Sequence, residues 1–474
     1  MKKTFILMLA ATCCLGAGAL RPANIFSDHA VLQQDTTVNI WGFASPGKTV
    51  SVTPSWPGAT TATAETGKDG RWNAQIATPK ASYTPYQITI ATPDSSLTLN
   101  DILLGEVWLA SGQSNMEMPL RGFWTQPVEG ARRAIATARR YPGIRMATVP
   151  KRGAYEPQSD VPTEWKTSTP ANAWDFSALG YFFARHLNEL IDTPVGIISC
   201  AYGGSKVEGW LPEDILETYP GWDMEAERDS TLREWERIGV MYNAMLLPVT
   251  PYTVRGFLWN QGESNVGRHA EYPAHQADMV SHWRKLWGND RIPFYFVELP
   301  GWDYSDPQGT DAALFRECQR LAAETIPDAG IVCTVDLVRP DELDDIHASM
   351  KEEIGERMAL LAGAETYGIP GLPYTYPTFK SMEIKGDEAH LSFENADGGL
   401  SPNGPVEGFE VAGTDGVFHP AESVIPLSQL GLTVKKPDEV DEIKAVRYCF
   451  RNFCIGPVHD MMGMPLKPFR TDKE

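Results

Sequence analysis

The stretch GEVWLASGQSNMEMPL, residues 105–120, decides how the rest of the chain is read. Residues 106–110 suit a buried strand, and Gly112 and Gln113 turn the chain directly after it. Ser114 stands in that turn. Open α/β sheets carry their sites just beyond the carboxyl ends of the strands, so Ser114 is a candidate nucleophile. A serine in such a place also serves as a helix cap. A chemical role therefore needs a base, an orienting carboxylate and oxyanion donors elsewhere in the chain.

Downstream of this stretch the pattern alternates. Strands are expected at 194–199, 254–258, 293–299 and 330–335, and helices at 131–140, 178–190, 272–287, 314–324 and 351–362. Such alternation predicts a parallel sheet covered by helices. Upstream, residues 20–100 carry short strand patterns separated by turns rich in Gly, Pro, Asp and Asn, as in a small sandwich. Short strands return after residue 368. The expected organisation is a signal peptide at 1–19, an N-terminal β domain at 20–100, a catalytic α/β domain at 101–368, and a C-terminal β region at 369–474 packing on it.

Acidic residues outnumber basic ones, 61 to 41, which leaves a net charge of -20. That surface repels nucleic acid and anionic membranes, so neither is an expected partner. Lys2 and Lys3, an apolar run at 5–15 and Ala17-Gly18-Ala19 read as an export signal. The expected location is periplasmic or extracellular, with a lipoprotein anchored near Cys13 as the alternative. Five cysteines follow that segment, Cys200, Cys318, Cys333, Cys449 and Cys454. An odd number does not suit a disulfide scaffold. Cys449 and Cys454 are readable as a pair across a turn or as buried thiols.

The candidate base is His347, in the loop Asp344-Asp345-Ile346-His347 ahead of the last expected helix. Asp344, three residues earlier, is placed to bend back onto Nδ1; Asp345 is the adjacent competitor and Asp336 a more distant one. Two glycine-bearing turns offer oxyanion donors. One is Ala201-Tyr202-Gly203-Gly204-Ser205. The other is Trp259-Asn260-Gln261-Gly262-Glu263-Ser264-Asn265, where Gln261 or Asn260 has an amide to donate and Glu263 is suited to orienting loops or binding substrate. His269, His275 and His282 lack a carboxylate set at metal-ligand spacing, so no metal is expected. GxGxxG and GxxxxGK[ST] are absent, and no cofactor is expected. GxSxG is absent too, which counts against an ordinary α/β-hydrolase.

With these residues in view, the chain resembles the sialate O-acetylesterase family, within the SGNH/GDSL-like esterases. The likeness runs through Phe26-Ser27-Asp28, Val31-Leu32-Gln33, Trp41-Gly42 and Pro46-Gly47. It continues in Gly105-Glu106-Val107-Trp108, Ser111-Gly112-Gln113-Ser114-Asn115-Met116, Gly203-Gly204 with Trp210, and Gln261-Gly262-Glu263-Ser264. It ends in Val446-Arg447-Tyr448 and Pro468-Phe469-Arg470-Thr471-Asp472. The resemblance implies a three-layer SGNH-hydrolase-like parallel sheet flanked by small β-sandwich-like modules. It implies Ser114 as nucleophile, His347 as base and Asp344 as its partner, with an oxyanion hole from Ser114, Gly204 and Gln261. Asn115, Gly203, Trp210, Asn260 and Glu263 become substrate-binding candidates, and Trp108, Trp124, Trp210 and Trp259 are readable as aromatic walls for a sugar.

The chain departs from the family after His347, where Ala348-Ser349-Met350-Lys351 replaces the usual proline, and after Gly204, where Ser205-Lys206 follows. The implied reaction is hydrolysis of O-acetyl esters on sialic acids, without a cofactor. The alternatives are an esterase for acetylated xylan or another polysaccharide, and an inactive carbohydrate-binding protein. An ordinary histidine titrates near neutrality, so activity is expected to fall on acidification through that range.

Overall fold

The strand that leads into Ser114 is longer than its apolar pattern suggests and spans Ser95–Gly112. This is seen in a computed structural model that describes residues 18–220, 224–229, 231–426 and 431–472. The run read as an export signal falls almost entirely outside the described residues. The first half of the long strand pairs antiparallel with Ser82–Thr92 of the N-terminal β region. Its second half is the centre of the main sheet. The domain boundary expected at Asp101 therefore falls inside one continuous strand, and the N-terminal region is joined to the main sheet through it.

Across the main sheet the order is Trp165–Thr167, Ile144–Thr148, Val195–Ala201, Ser95–Gly112, Gly256–Asn260, Phe294–Val297 and Ala329–Val332. All neighbours are parallel except the first pair. Side chains alternate between the two faces, as the pleat requires. Phe257, Phe294 and Phe296 share a core with Trp283 and Phe315, from the helices Tyr272–Trp287 and Asp311–Thr325. Leu258, Tyr295 and Val297 share a second core with Phe182, Phe183 and Met358, from the helices Ala178–Ile191 and Lys351–Glu365. Each large apolar side chain removed from water in this way contributes roughly 1.5–3 kcal/mol. The result is an α/β fold with a central mixed sheet and helices against both faces.

One core strand, Ile144–Thr148, has no counterpart among the expected elements. Arg145 interrupts its apolar run. In the fold this guanidinium is buried against Asp101, 3.0 Å away, so a charged residue occupies a buried strand position.

After the last helix the chain forms small antiparallel sheets. One contains Thr378–Lys385 and Glu388–Glu394; another contains Phe409–Ala412 and Ala445–Tyr448. They are tied to the rest through Asn452, which donates to Asp306 and accepts from the Ala312 N–H, and through Arg470 on Glu317. Among the described residues no helix is long and apolar enough to cross a membrane.

The register of three central strands positions the site. Gly112 lies opposite Ala201 on one side and Asn260 on the other. Three strands thus end at one level, and the turns bearing Ser114, Gly203-Gly204 and Gln261–Glu263 emerge side by side.

Candidate active site

Ser114 opens a single helical turn, Ser114–Glu117, immediately past Gln113. The turn is pinned on both sides. The Gln113 N–H donates to the Asn260 carbonyl at 3.0 Å, and the Gln113 side-chain oxygen accepts from the N–H groups of Gly262 and Ser264. Asn115 is buried, and its amide donates to Glu263 and to the Ile346 carbonyl, the latter at 3.0 Å. The residue after Ser114 is therefore bonded to the residue before His347. This bond brings together two segments separated by more than 200 positions.

His347 itself is held from three sides. Its N–H donates to Asp345 Oδ1 at 2.9 Å, and its Nδ1 lies 2.7 Å from Gln126 Oε1. The Phe123 ring packs edge-on against the imidazole, with centroids 5.1 Å apart. Nε2 is buried and has no hydrogen-bond partner among the described residues. Burial, aided by the nearby Lys351 ammonium, pushes the imidazole down to about 4. His347 is consequently neutral through most of the acidic range, rather than titrating near neutrality as an ordinary histidine does.

The structure corrects the assignment of Asp344. That side chain is exposed, and no hydrogen bond joins it to His347. The physical reason is the loop backbone. Asp345 turns inward to accept the His347 N–H, and its neighbour in the chain faces outward. Asp336, the distant competitor, is taken by Arg357 at 2.6 Å and by His459.

The oxyanion candidates also separate. The Gly203 N–H donates to Glu117 Oε2 at 2.6 Å and is already used. Gly203 itself lies close against Ser114, since a Cβ added there would sit 3.4 Å from the serine Cβ. Gly204 has φ +81°, a conformation suited to glycine, and its N–H has no partner among the described residues. The Ser114 N–H is likewise free at the start of its helical turn. Gln261 is corrected. Its amide donates to Asn265 Oδ1 at 2.7 Å and to the Ser205 carbonyl at 3.2 Å, so both hydrogens are spent on the loop scaffold. Asn260, the other amide of that turn, makes no side-chain hydrogen bond among the described residues.

With that geometry established, comparison with known proteins identifies the family. Residues 104–362 match the family model described as carbohydrate esterase, sialic acid-specific acetylesterase. The chain belongs to the sialate O-acetylesterase family. A sialate O-acetylesterase of Pongo abelii is 26% identical over 409 residues, covering 80% of this chain and 77% of that protein. The Mus musculus sialate O-acetylesterase is 25% identical over 442 residues, covering 80% of each. The crystal structure of XAC1771, a carbohydrate acetylesterase from Xanthomonas citri, superposes with a TM-score of 0.84 at 31% identity. It covers 96% of this chain and 100% of that one.

Around the site of this esterase, the tryptophans divide differently from expectation. Trp108, Trp210 and Trp259 are fully buried, and Trp210 donates to Ser205 Oγ inside the core. They are packing residues: Trp108 and Trp259 sit in central strands covered on both faces, Trp210 ends the short helical turn Val207–Trp210, and Trp210 is not a substrate wall. Trp124 is 91% exposed, at the tip of a tight turn, 123–126, that also carries Phe123 and Gln126. Trp235 is half-buried and lies against Gly204, with its Cδ1 2.6 Å from where a Cβ would be.

Four polar residues around the esterase site were missed by sequence reasoning: Gln126, Glu117, Glu208 and Lys351. Lys351 is fully buried and donates to Asn115 Oδ1 at 2.5 Å. Burial lowers its ammonium to about 8 and raises the Glu263 carboxyl, whose Oε2 has no partner among the described residues. Asn115 thus stands between a buried cation and a buried acid. The departure Ala348–Lys351 from the family pattern was the only signal for Lys351. Glu208 is buried and accepts from Asn265 at 3.0 Å, with His275 at 2.9 Å. His282 bonds instead to Tyr242, so the two histidines of that helix serve separate contacts.

Proposed function

We propose that this carbohydrate esterase hydrolyses O-acetyl esters of sialic acids through Ser114 and His347. The observation that carries the reading is the Asn115 bond to the Ile346 carbonyl, which fastens the Ser114 turn to the His347 loop. In the proposed reaction His347 Nε2 takes the Ser114 proton, and Oγ attacks the acetyl carbonyl. The developing oxyanion is held by the N–H groups of Ser114 and Gly204, with the Asn260 amide as a third donor. The sugar oxygen leaves with the proton from His347. Water then gives a proton to the same nitrogen and attacks the acetyl-serine; the bond to Oγ breaks, His347 returns its proton to Ser114 Oγ, and the acetic acid formed ionises to acetate. The sialate substrate class is supported by the family description and by the relatives' names.

A second reading, an esterase for acetylated polysaccharide, is favoured by the likeness to XAC1771, named a carbohydrate acetylesterase. Acetate release from a panel of O-acetylated sialic acids beside acetylated xylan separates the two. We expect turnover of the sialic acids and none in a folded Ser114→Ala variant. Preference for xylan overturns the substrate, and turnover by Ser114→Ala overturns the nucleophile. Export is part of the same proposal. Recovery of protein cleaved after Ala19 in the periplasm or medium supports it, and an intact N-terminus in the cytoplasm refutes it.

A further inference from the structure

The group that orients His347 is an amide. Gln126 Oε1 is 2.7 Å from His347 Nδ1, and Gln126 Nε2 is 2.6 Å from Asp345 Oδ1. The same Asp345 oxygen accepts the His347 N–H. An ionised carboxylate only accepts hydrogen bonds, so the Gln126 nitrogen must be the end facing Asp345. Its oxygen then faces the imidazole, and only a protonated Nδ1 completes the bond. That arrangement leaves the lone pair on Nε2, the atom that is buried and unpartnered.

We propose that Gln126 is a positioning residue that sets the His347 tautomer, with the Asp345 carboxylate fixing the direction of the amide. The inference rests on His347 being the base. The turn that carries Gln126 is built for the task. Gln126 and Phe123 exchange backbone hydrogen bonds, so the ring that packs on the imidazole and the amide that bonds to it sit on one rigid clasp. Gly122 makes the clasp possible, with φ +80° and no room for a Cβ, which would lie 2.3 Å from the Gln126 carbonyl oxygen.

An amide in this position has a consequence for pH. A carboxylate directly on Nδ1 favours the imidazolium, whereas here the charge of Asp345 acts across a neutral group. The charged groups facing this ring and its loop are Lys351 from the helix Lys351–Glu365, Asp345 and Glu342 from the loop itself, and Glu263 from the turn after Gly256–Asn260. The 123–126 turn contributes none. Burial and the lysine dominate, in keeping with the lowered imidazole.

The test uses the full chain with ¹⁵N-labelled histidine and three variants. In the wild type the His347 imidazole should show Nδ1–H and an unprotonated Nε2 between pH 6 and 8; an Nε2–H form overturns the proposal. Gln126→Leu should lower kcat at least about 30-fold, with KM within about threefold, where complete loss of tautomer control in a serine hydrolase costs about 10⁴. A kcat within about threefold of wild type overturns it. The paired change Gln126→Glu with Asp345→Asn reverses the polarity and puts a carboxylate on Nδ1. It should restore kcat to within about tenfold of wild type and raise the acid limb of kcat/KM by about one pH unit or more. A double variant no more active than Gln126→Leu, with an unmoved acid limb, overturns it. His347→Ala tells the two readings apart. If it stays active, the base assignment falls; if it is dead while Gln126→Leu is normal, only the present inference falls.

Discussion

Replacing Lys351 by methionine should raise the pH at which the enzyme loses activity. The active form needs a neutral imidazole, and kcat/KM reports the ionisation of the free enzyme. In the wild type that ionisation lies at about 4, against an ordinary value of 6.5. The difference disfavours the imidazolium by roughly 3 kcal/mol, less where water screens the ring. Burial is the larger cause and the Lys351 charge the smaller, so the charge accounts for less than half of the shift. Removing it should move the midpoint up by about one pH unit at most, or about 1.4 kcal/mol, to a value between about 4 and about 5. The same linkage affects folding. Between pH 6.5 and about 4 the unfolded chain binds a proton that the folded chain refuses, so stability falls as pH drops through that window. The assay is initial-rate acetate release from pH 3.5 to 8, with circular dichroism at each pH to separate titration from unfolding. A wild-type midpoint near 6.5 refutes the reasoning. So does a folded Lys351→Met variant whose midpoint is unmoved or lower.

Three further outcomes are expected. Gly204→Ala forces a side chain into a left-handed backbone and against the Trp235 ring. It should cost about 1–3 kcal/mol in urea melts and lower kcat more than tenfold, whereas a stable variant with normal kcat argues against Gly204 as an oxyanion donor. Trp124→Ala, at the exposed tip of the turn beside His347, should raise KM for glycan substrates severalfold and leave kcat and thermal stability unchanged; an unchanged KM removes it from the substrate surface. Glu208→Ala strips a buried carboxylate from Asn265, His275 and Arg268. A loss of about 3–5 kcal/mol is expected, seen as a lower urea midpoint with the urea slope unchanged, and a loss below about 1 kcal/mol shows that the network is dispensable.

The helices and the turns after strands were legible because each rests on a local pattern. The helix at 272–287 coincides with the observed Tyr272–Trp287. What stayed hidden depends on partners distant in sequence. The strand Ile144–Thr148 was masked by Arg145, whose burial makes sense only with Asp101 beside it. The choice between Asp344 and Asp345 turns on a single backbone hydrogen bond to His347, which spacing cannot distinguish when two carboxylates are adjacent. Gln126 lies in an irregular turn 221 positions from His347, with no periodicity to connect them. The glutamine of the Gln261–Ser264 motif is chemically suited to stabilising an oxyanion, yet Asn265 four residues later competes for its hydrogens, and sequence alone does not rank the two uses.

The distribution of satisfied and unsatisfied groups explains why the site holds its shape without substrate. Asn115 uses its amide oxygen on Lys351 and its hydrogens on Glu263 and Ile346. Gln126 uses both ends on His347 and Asp345, and Gln261 is bonded through nitrogen and oxygen alike. Asn115 joins a cation to an acid and Gln126 reaches the Asp345 carboxylate, in both cases without adding charge, which spares the interior the desolvation of further ions. Against that background His347 Nε2 is a buried acceptor left without a donor among the described residues. Such an atom costs about 1–3 kcal/mol while it remains unpaired. In the proposed reaction the cost is recovered when a hydroxyl donates to it, first that of Ser114 and later that of the attacking water. A side chain free to rotate would escape the penalty by turning towards another donor. The Gln126 bond, the Phe123 ring and the Asp345 bond to the backbone deny His347 that escape, so the nitrogen stays unpaired until a hydroxyl is brought to it.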